Sequence, residues 1–146
     1  MAWAAQNLDP SLRERAAELI NRFIRLMFFD QDPERPNTFE HYNPFTGHPC
    51  TYRGIDDYQH SWVIDLIIKY VVGLQPQEED AIVLDPLPFN LEHFTLDGVL
   101  YKNHEVRVTW RAKKIDEEPL GYRLYVDGKL VAARPRLGRL VYKLQE

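Results

Sequence analysis

Segment 106–111 reads Val106-Arg107-Val108-Thr109-Trp110-Arg111, in which apolar side chains alternate with polar ones. Successive side chains of a strand point to opposite faces of the sheet, so this alternation is typical of a half-buried β-strand. Two later runs, 122–126 and 140–144, have a similar pattern. The second half of the chain is therefore predicted to be a β-structure.

Short turn signals divide these strand-like runs. Asp127-Gly128 predicts a two-residue hairpin, and Asp97-Gly98 predicts another. With runs at 81–84 and 91–95, the chain is predicted to form about six or seven short strands in an antiparallel sheet or small sandwich. We place this β-domain at 76–146, after a helical segment at 1–75.

The helical segment is predicted to contain two helices. Asp9 and Pro10 are a typical N-cap and first helical residue. The amphipathic helix that follows should run for about five turns. A second helix is predicted at 57–72 with Gly73 as its C-cap. Its side chains are apolar nearly all round, which normally places a helix inside a helical assembly.

Composition limits the function classes. The net charge is −4, so there is no overall basic surface for nucleic acid. The single cysteine, Cys50, excludes an intrachain disulfide. No signal peptide or apolar stretch near the roughly 20 residues of a membrane span is present. The histidines do not have metal-ligand spacing. We therefore expect a soluble cytoplasmic protein without membrane association, metal or cofactor.

The long Pro- and Gly-rich segment between the two helices contains the candidate site. Glu40 stands there between aromatic residues, and a buried carboxylate of this kind can serve as a general acid or base. Aromatic faces and amides such as Tyr42 and Asn43 commonly hold sugar rings. The alternative is that Glu40 caps Thr46 or pairs with Arg53 in a well-packed loop.

The run from Glu40 to Gly47, followed by Ser61-Trp62 at a helix start, resembles six-hairpin α/α-barrel glycoside hydrolases. The nearest resemblance is to family 63 and mannosylglycerate-hydrolase-like enzymes, with trehalases more distant. It implies an α+β fold, in which a helical hairpin (partial α/α barrel) precedes the small antiparallel β-sheet or sandwich. It also implies that Glu40 is the general base. The residues that it places at the substrate are Tyr42, Asn43, Thr46, Gly47 and Trp62.

Inverting hydrolysis also needs a general acid, roughly 6.5–9.5 Å from the base. In the family this acid lies in a part of the barrel that has no counterpart here. The leading hypothesis is thus the C-terminal part of an inverting α-glycoside hydrolase, inactive alone. The alternative is a non-catalytic carbohydrate- or protein-binding module, or an orphan self-associating protein. The expected partners are carbohydrate and either a second copy or a chain carrying the rest of the barrel.

Overall fold

A computed structural model of the chain describes residues 1–36, 39, 41–49 and 62–144, except the side chain of Asp30. Helix α1 (Ala2–Asn7) is followed by a 3₁₀ turn (Pro10–Leu12) and helix α2 (Arg13–Leu26). The Asp9 carboxylate accepts a hydrogen bond from the Ser11 N–H at 3.0 Å. The predicted N-cap is therefore confirmed.

The second helix covers all the described residues of its predicted range. Helix α3 (Val63–Leu66) continues as a π-helical stretch (Ile67–Val72) and ends at Gly73. Gly73 has a φ of 97°, the left-handed conformation that favours glycine, and the predicted C-cap is confirmed. A Cβ at this position would lie 2.4 Å from the Pro86 nitrogen, so only glycine fits. The first predicted residues, 57–61, lie outside the described part.

Seven strands form two antiparallel sheets. The first sheet has the order β1-β2-β7, with β1 (Leu74–Gln75), β2 (Ala81–Leu84) and β7 (Leu140–Lys143). The second has the order β3-β4-β5-β6. Its strands are β3 (His93–Tyr101), β4 (His104–Arg111), β5 (Gly121–Val126) and β6 (Lys129–Arg134).

One of the two predicted hairpin turns is confirmed. Asp127 and Gly128 join β5 to β6, both with positive φ, as a two-residue hairpin requires. The hairpin predicted at Asp97-Gly98 is wrong. Those residues form an irregularity inside β3, where the pairing with β4 shifts between Leu96 and Val99. The β3–β4 turn is instead Lys102-Asn103, also with positive φ at both residues.

The predicted fold class is wrong. The described residues are mostly β-structure with a few short helices, and they contain no helical hairpin of an α/α barrel. The apolar residues after Trp62 are covered by strands on one side and by the two N-terminal helices on another, not by a ring of barrel helices. Val72 belongs to one core with side chains from both sheets, and the buried Tyr122 hydroxyl of β5 donates to the Val72 carbonyl at 2.5 Å.

A smaller apolar cluster attaches the two N-terminal helices to this β-structure. Ala5 of α1 and Ala16, Ala17 and Ile20 of α2 pack with Tyr70 and Leu87. An ion pair reinforces this contact: the Arg13 guanidinium donates two hydrogen bonds to the Asp85 carboxylate, at 2.8 and 3.3 Å. Such bidentate pairs fix geometry as well as contributing energy. None of the helices in the described part could reach across a bilayer as an apolar segment.

Candidate functional site

A cleft of about 670 Å³ lies between α2 and the loop that follows Asn43. We call it the loop cleft. Helix α2 contributes Arg22, Arg25 and Leu26, and the loop contributes residues 44–48. The aromatic ring of Phe45 is 94% exposed at this cleft. The site is therefore an open groove with cationic and aromatic groups on its walls.

The loop wall is held by Asn43. Its Oδ1 accepts hydrogen bonds from the backbone N–H groups of Phe45 at 2.9 Å and Thr46 at 3.1 Å. The Asn43 carbonyl accepts from Gly47 N–H at 2.8 Å, and its N–H donates to His48 at the same distance. An asparagine that bonds the backbone two residues ahead mimics a backbone turn. Asn43 thus shapes the loop, and its oxygen is already engaged.

Gly47 allows the loop to approach the helix. Its φ is 71°, and a Cβ there would lie 3.0 Å from Leu26 Cδ2. Both the backbone conformation and the close approach disfavour a larger residue. The sequence at this position therefore sets the width of the cleft.

The helix wall carries an excess of positive charge. Glu18 pairs with both Arg15 and Arg22, and the hydrogen bond from Arg15 lowers the pKa of the Glu18 carboxyl. Arg25 donates to the neutral Gln31 Oε1 at 2.8 Å rather than to a carboxylate of the described residues. Guanidinium groups bind carboxylates bidentately, so this wall is suited to an anion.

The structure brings only some of the predicted site residues to the loop cleft. Thr46 and Gly47 line it. The Tyr42 hydroxyl lies 3.8 Å from Met27 Sδ, and partial burial raises the pKa of this phenol. Trp62 stacks on Phe23 with 5.2 Å between ring centroids. Glu40 and Arg53 lie outside the described residues, so the catalytic and substrate-binding roles stay predictions.

Sequence reasoning missed Arg22, Arg25 and Phe45. In the sequence, the two arginines lie on the polar face of the amphipathic helix that becomes α2. Only the position of the loop against that face distinguishes them from other surface arginines. Phe45 had a signal of its own, because it stands in the Asn-Pro-Phe-Thr-Gly turn beside the candidate glutamate.

Among the described residues, no group of three or more His, Cys, Asp or Glu side chains is arranged to hold an ion. The loop cleft can bind and orient a ligand through arginine, hydroxyl and aromatic groups. Proton transfer would depend on residues beyond those described.

Comparison with known proteins finds similarity in structure. No family model matches the chain. A solved structure named "Sialidase" is similar to it, with a TM-score of 0.69 and 27% sequence identity over 85% of this chain. The match spans 12% of that protein's length.

The resemblance to family 63 and its α/α-barrel relatives is wrong. The structural neighbour is a sialidase, and this chain is β-rich with two antiparallel sheets. The resemblance depended on two features. The motif at 40–47 is short, and the apolar segment after Trp62 fits other surroundings than a helical barrel. The structural similarity supports a fold like that of part of a glycoside hydrolase.

Proposed function

We propose that this chain is a carbohydrate-binding part of a glycoside hydrolase and that the loop cleft holds an anionic sugar unit. The observation that carries the proposal is the cleft itself, where Arg22, Arg25 and the exposed ring of Phe45 stand together. The similarity to a segment of a protein named a sialidase supports the choice of carbohydrate as ligand.

Each wall has a role in this proposal. The apolar C–H face of a sugar ring can stack on Phe45, as amphipathic ligands do on aromatic surfaces. The carboxylate of an acidic sugar can accept hydrogen bonds from Arg25, which has no carboxylate partner among the described residues. The Thr46 hydroxyl, which accepts from the His48 N–H at 3.3 Å, can donate its proton to a ligand.

The proposal includes the general-base role of Glu40 in an inverting hydrolysis. Glu40 belongs to the same Pro- and Gly-rich segment as the cleft loop. A positioned acid or base contributes roughly 10²–10⁴-fold to a rate, so a chain that supplies the base without a general acid is expected to be nearly inactive alone. Reconstitution with the remainder of a related hydrolase should restore hydrolysis, and Glu40→Gln should remove it. Restored activity that Glu40→Gln does not reduce would contradict this role.

Calorimetric titration with a trisaccharide of galacturonic acid tests the binding step. Arg25→Gln should weaken binding about tenfold, because a charge-assisted pair is lost. Raising the ionic strength from about 0.1 M to 1 M should also weaken it, since the screening length falls from about 10 Å to 3 Å. Arg15→Gln is the matched control, because Arg15 shares Glu18 but does not line the cleft. Equal affinities for wild type and Arg25→Gln would refute the proposed ligand.

A second candidate function is self-association. Leu19 is 38% exposed, Trp62 39% and Ile64 55%. Exposed apolar side chains that form a patch often mark an interface, and Trp62 stacks on Phe23 of α2. Light scattering at micromolar concentration tests this candidate, and a monomer over the whole range would remove it.

A further inference from the structure

A second cleft, of about 490 Å³, lies where α1 meets the start of the first sheet. We call it the amide cleft. The amide cleft shares no lining residue with the loop cleft. A ligand bound there would therefore be additional to the one proposed above. The side chains that matter in it are Trp3, Gln6, Asn7, Lys69, Gln75 and Gln77. One exposed aromatic ring and four amides thus stand around one groove.

Each of the four amides donates at least one N–H inside the protein. Gln6 Nε2 donates to the Asp85 carbonyl at 2.6 Å, and Asn7 Nδ2 donates to the Trp3 carbonyl at 2.8 Å. Gln75 Nε2 donates to the Lys69 carbonyl at 2.5 Å, and Gln77 Nε2 to the Pro76 carbonyl at 2.8 Å. An amide oxygen in place of any of these nitrogens would face a carbonyl, so the orientation of each amide is determined by its partner.

The oxygens of Asn7, Gln75 and Gln77 accept no hydrogen bond in the described part of the chain, so they can serve a ligand. Each can accept two hydrogen bonds. The Gln6 Oε1 is buried and has no hydrogen-bond partner within the described part of the chain. A buried polar atom without a partner is destabilising, and such an atom in a native structure calls for an explanation. A ligand hydroxyl would supply the missing donor only after the Gln6 side chain turns toward the groove.

Donors and an aromatic surface complete the cleft. Lys69 and Arg139 also line it and can donate to hydroxyl oxygens. Trp3 is 56% exposed and offers an indole face for stacking. A hydroxyl group both donates and accepts, so a sugar matches this mixture. A carboxylate only accepts, so it could bind Lys69 and Arg139 but would leave the amide oxygens without donors.

The backbone beneath the cleft is held in place by the second sheet. The Tyr101 hydroxyl of β3 accepts from the Gln77 N–H at 3.0 Å and lies 3.4 Å from the Gln75 carbonyl, to which it can donate. A preformed groove loses less conformational entropy when a ligand binds. We propose that the amide cleft is a binding site for a neutral carbohydrate.

Protein NMR with isotope-labelled full chain tests this proposal through the side-chain amide and indole signals. The probes are neutral trisaccharides of glucose, mannose, galactose and xylose at millimolar concentration, with trigalacturonate as the charged probe. At least one neutral trisaccharide should shift the signals of Trp3, Asn7 and Gln77 together. Trp3→Ala should weaken that binding roughly tenfold, through loss of the stacked ring.

Two matched variants control for nonspecific effects. Leu8→Ala removes a neighbouring side chain that is 70% exposed but does not line the cleft. Asn21→Ala removes an exposed amide from α2, away from the amide cleft. Neither should change the affinity.

Three results would overturn the assignment. No shift with any neutral trisaccharide would exclude the site, and an unchanged affinity in Trp3→Ala would exclude the indole as its surface. Tighter binding of trigalacturonate at these signals would refute a neutral ligand. Because trigalacturonate binding at Arg25 is a separate measurement, failure here leaves the function of the loop cleft unaffected.

Discussion

Side-chain amides make internal hydrogen bonds in both the loop cleft and the amide cleft, as acceptors in the first and as donors in the second. Asn43 in the loop accepts hydrogen bonds through Oδ1, whereas Asn7 in the amide cleft donates through Nδ2. The groups left for a ligand differ accordingly: the first cleft offers arginine donors, and the second offers amide oxygens beside Lys69 and Arg139. The internal bonds that build a cleft therefore decide which half of each polar group can bind.

The largest change in stability is expected at Asp85, which anchors the helices beside the amide cleft and does not line the loop cleft. Asp85 binds Arg13 through its carboxylate and Gln6 through its carbonyl, so it joins both N-terminal helices to the sheet beside the amide cleft. Arg13→Met leaves the largely buried Asp85 carboxylate without its partner. The free energy of unfolding should fall by about 2–4 kcal/mol, measured by urea denaturation.

Arg15→Met is the control for that measurement, because its pair with Glu18 is exposed at the surface. Its effect should stay within about 0.5 kcal/mol. In the Arg13 variant, neutral-sugar affinity should fall further than acidic-sugar affinity. The opposite order would mean that Asp85 does not support the amide cleft.

A smaller effect should separate the shape of the loop cleft from its charge. Gly47→Ala places a residue in the left-handed region and a Cβ 3.0 Å from Leu26, which should cost about 1–2 kcal/mol. Gly128→Ala is the matched variant, because its φ of 74° is similar and its Cβ would meet open space. Any larger shift of the urea midpoint in Gly47→Ala than in Gly128→Ala measures the cost of the contact between the new Cβ and Leu26. Equal shifts would show that the loop and helix do not press together at this point.

The smallest effect concerns the competition for Arg22. Glu18→Gln releases this guanidinium, so acidic-sugar affinity should rise about twofold, as expected for an exposed ion pair. Neutral-sugar affinity at the amide cleft should not change. Calorimetry on both probes measures the two affinities, and a fall in acidic-sugar affinity would contradict the role of Glu18 as a competitor.

The pH dependence of the same ion pairs has a definite sign. The pKa of Glu18 is lowered from 4.5 by its hydrogen bond with Arg15, so the native state favours the carboxylate. The ion pair stabilises the folded state above pH 4.5. This stabilisation is lost as the pH falls through the lower pKa that Glu18 has in the folded protein. Thermal melting of wild type and Glu18→Gln should therefore converge at acidic pH.

Local signals in the sequence predicted individual elements well. Asp9-Pro10 marks the start of the first long helix, Gly73 ends the second, and Asp127-Gly128 is a hairpin turn. These features depend on backbone conformation and on neighbours a few residues away. Asp97-Gly98 shows the limit of such signals, because the same dipeptide also fits an irregularity inside a strand.

The surroundings of the apolar segment after Trp62 could not be predicted from its pattern. A helix with a narrow polar stripe needs cover on several sides, but the stripe does not say what provides it. Here the two sheets cover one side, and helices α1 and α2 cover Tyr70. The predicted domain boundary at 75 and 76, the cytoplasmic location and the oligomeric state stay predictions.

The sequence by itself determined the β-rich second half, the caps of the helices and the presence of a polar, aromatic loop after residue 40. Those features arise from alternation and from residues with special backbone preferences. Only the tertiary structure decided that Arg25 faces Phe45 across one cleft and that Trp3 joins Gln75 around another. These residues are far apart in the chain and meet because the helices pack on the sheets. The local sequence pattern does not specify which distant residues will be neighbours.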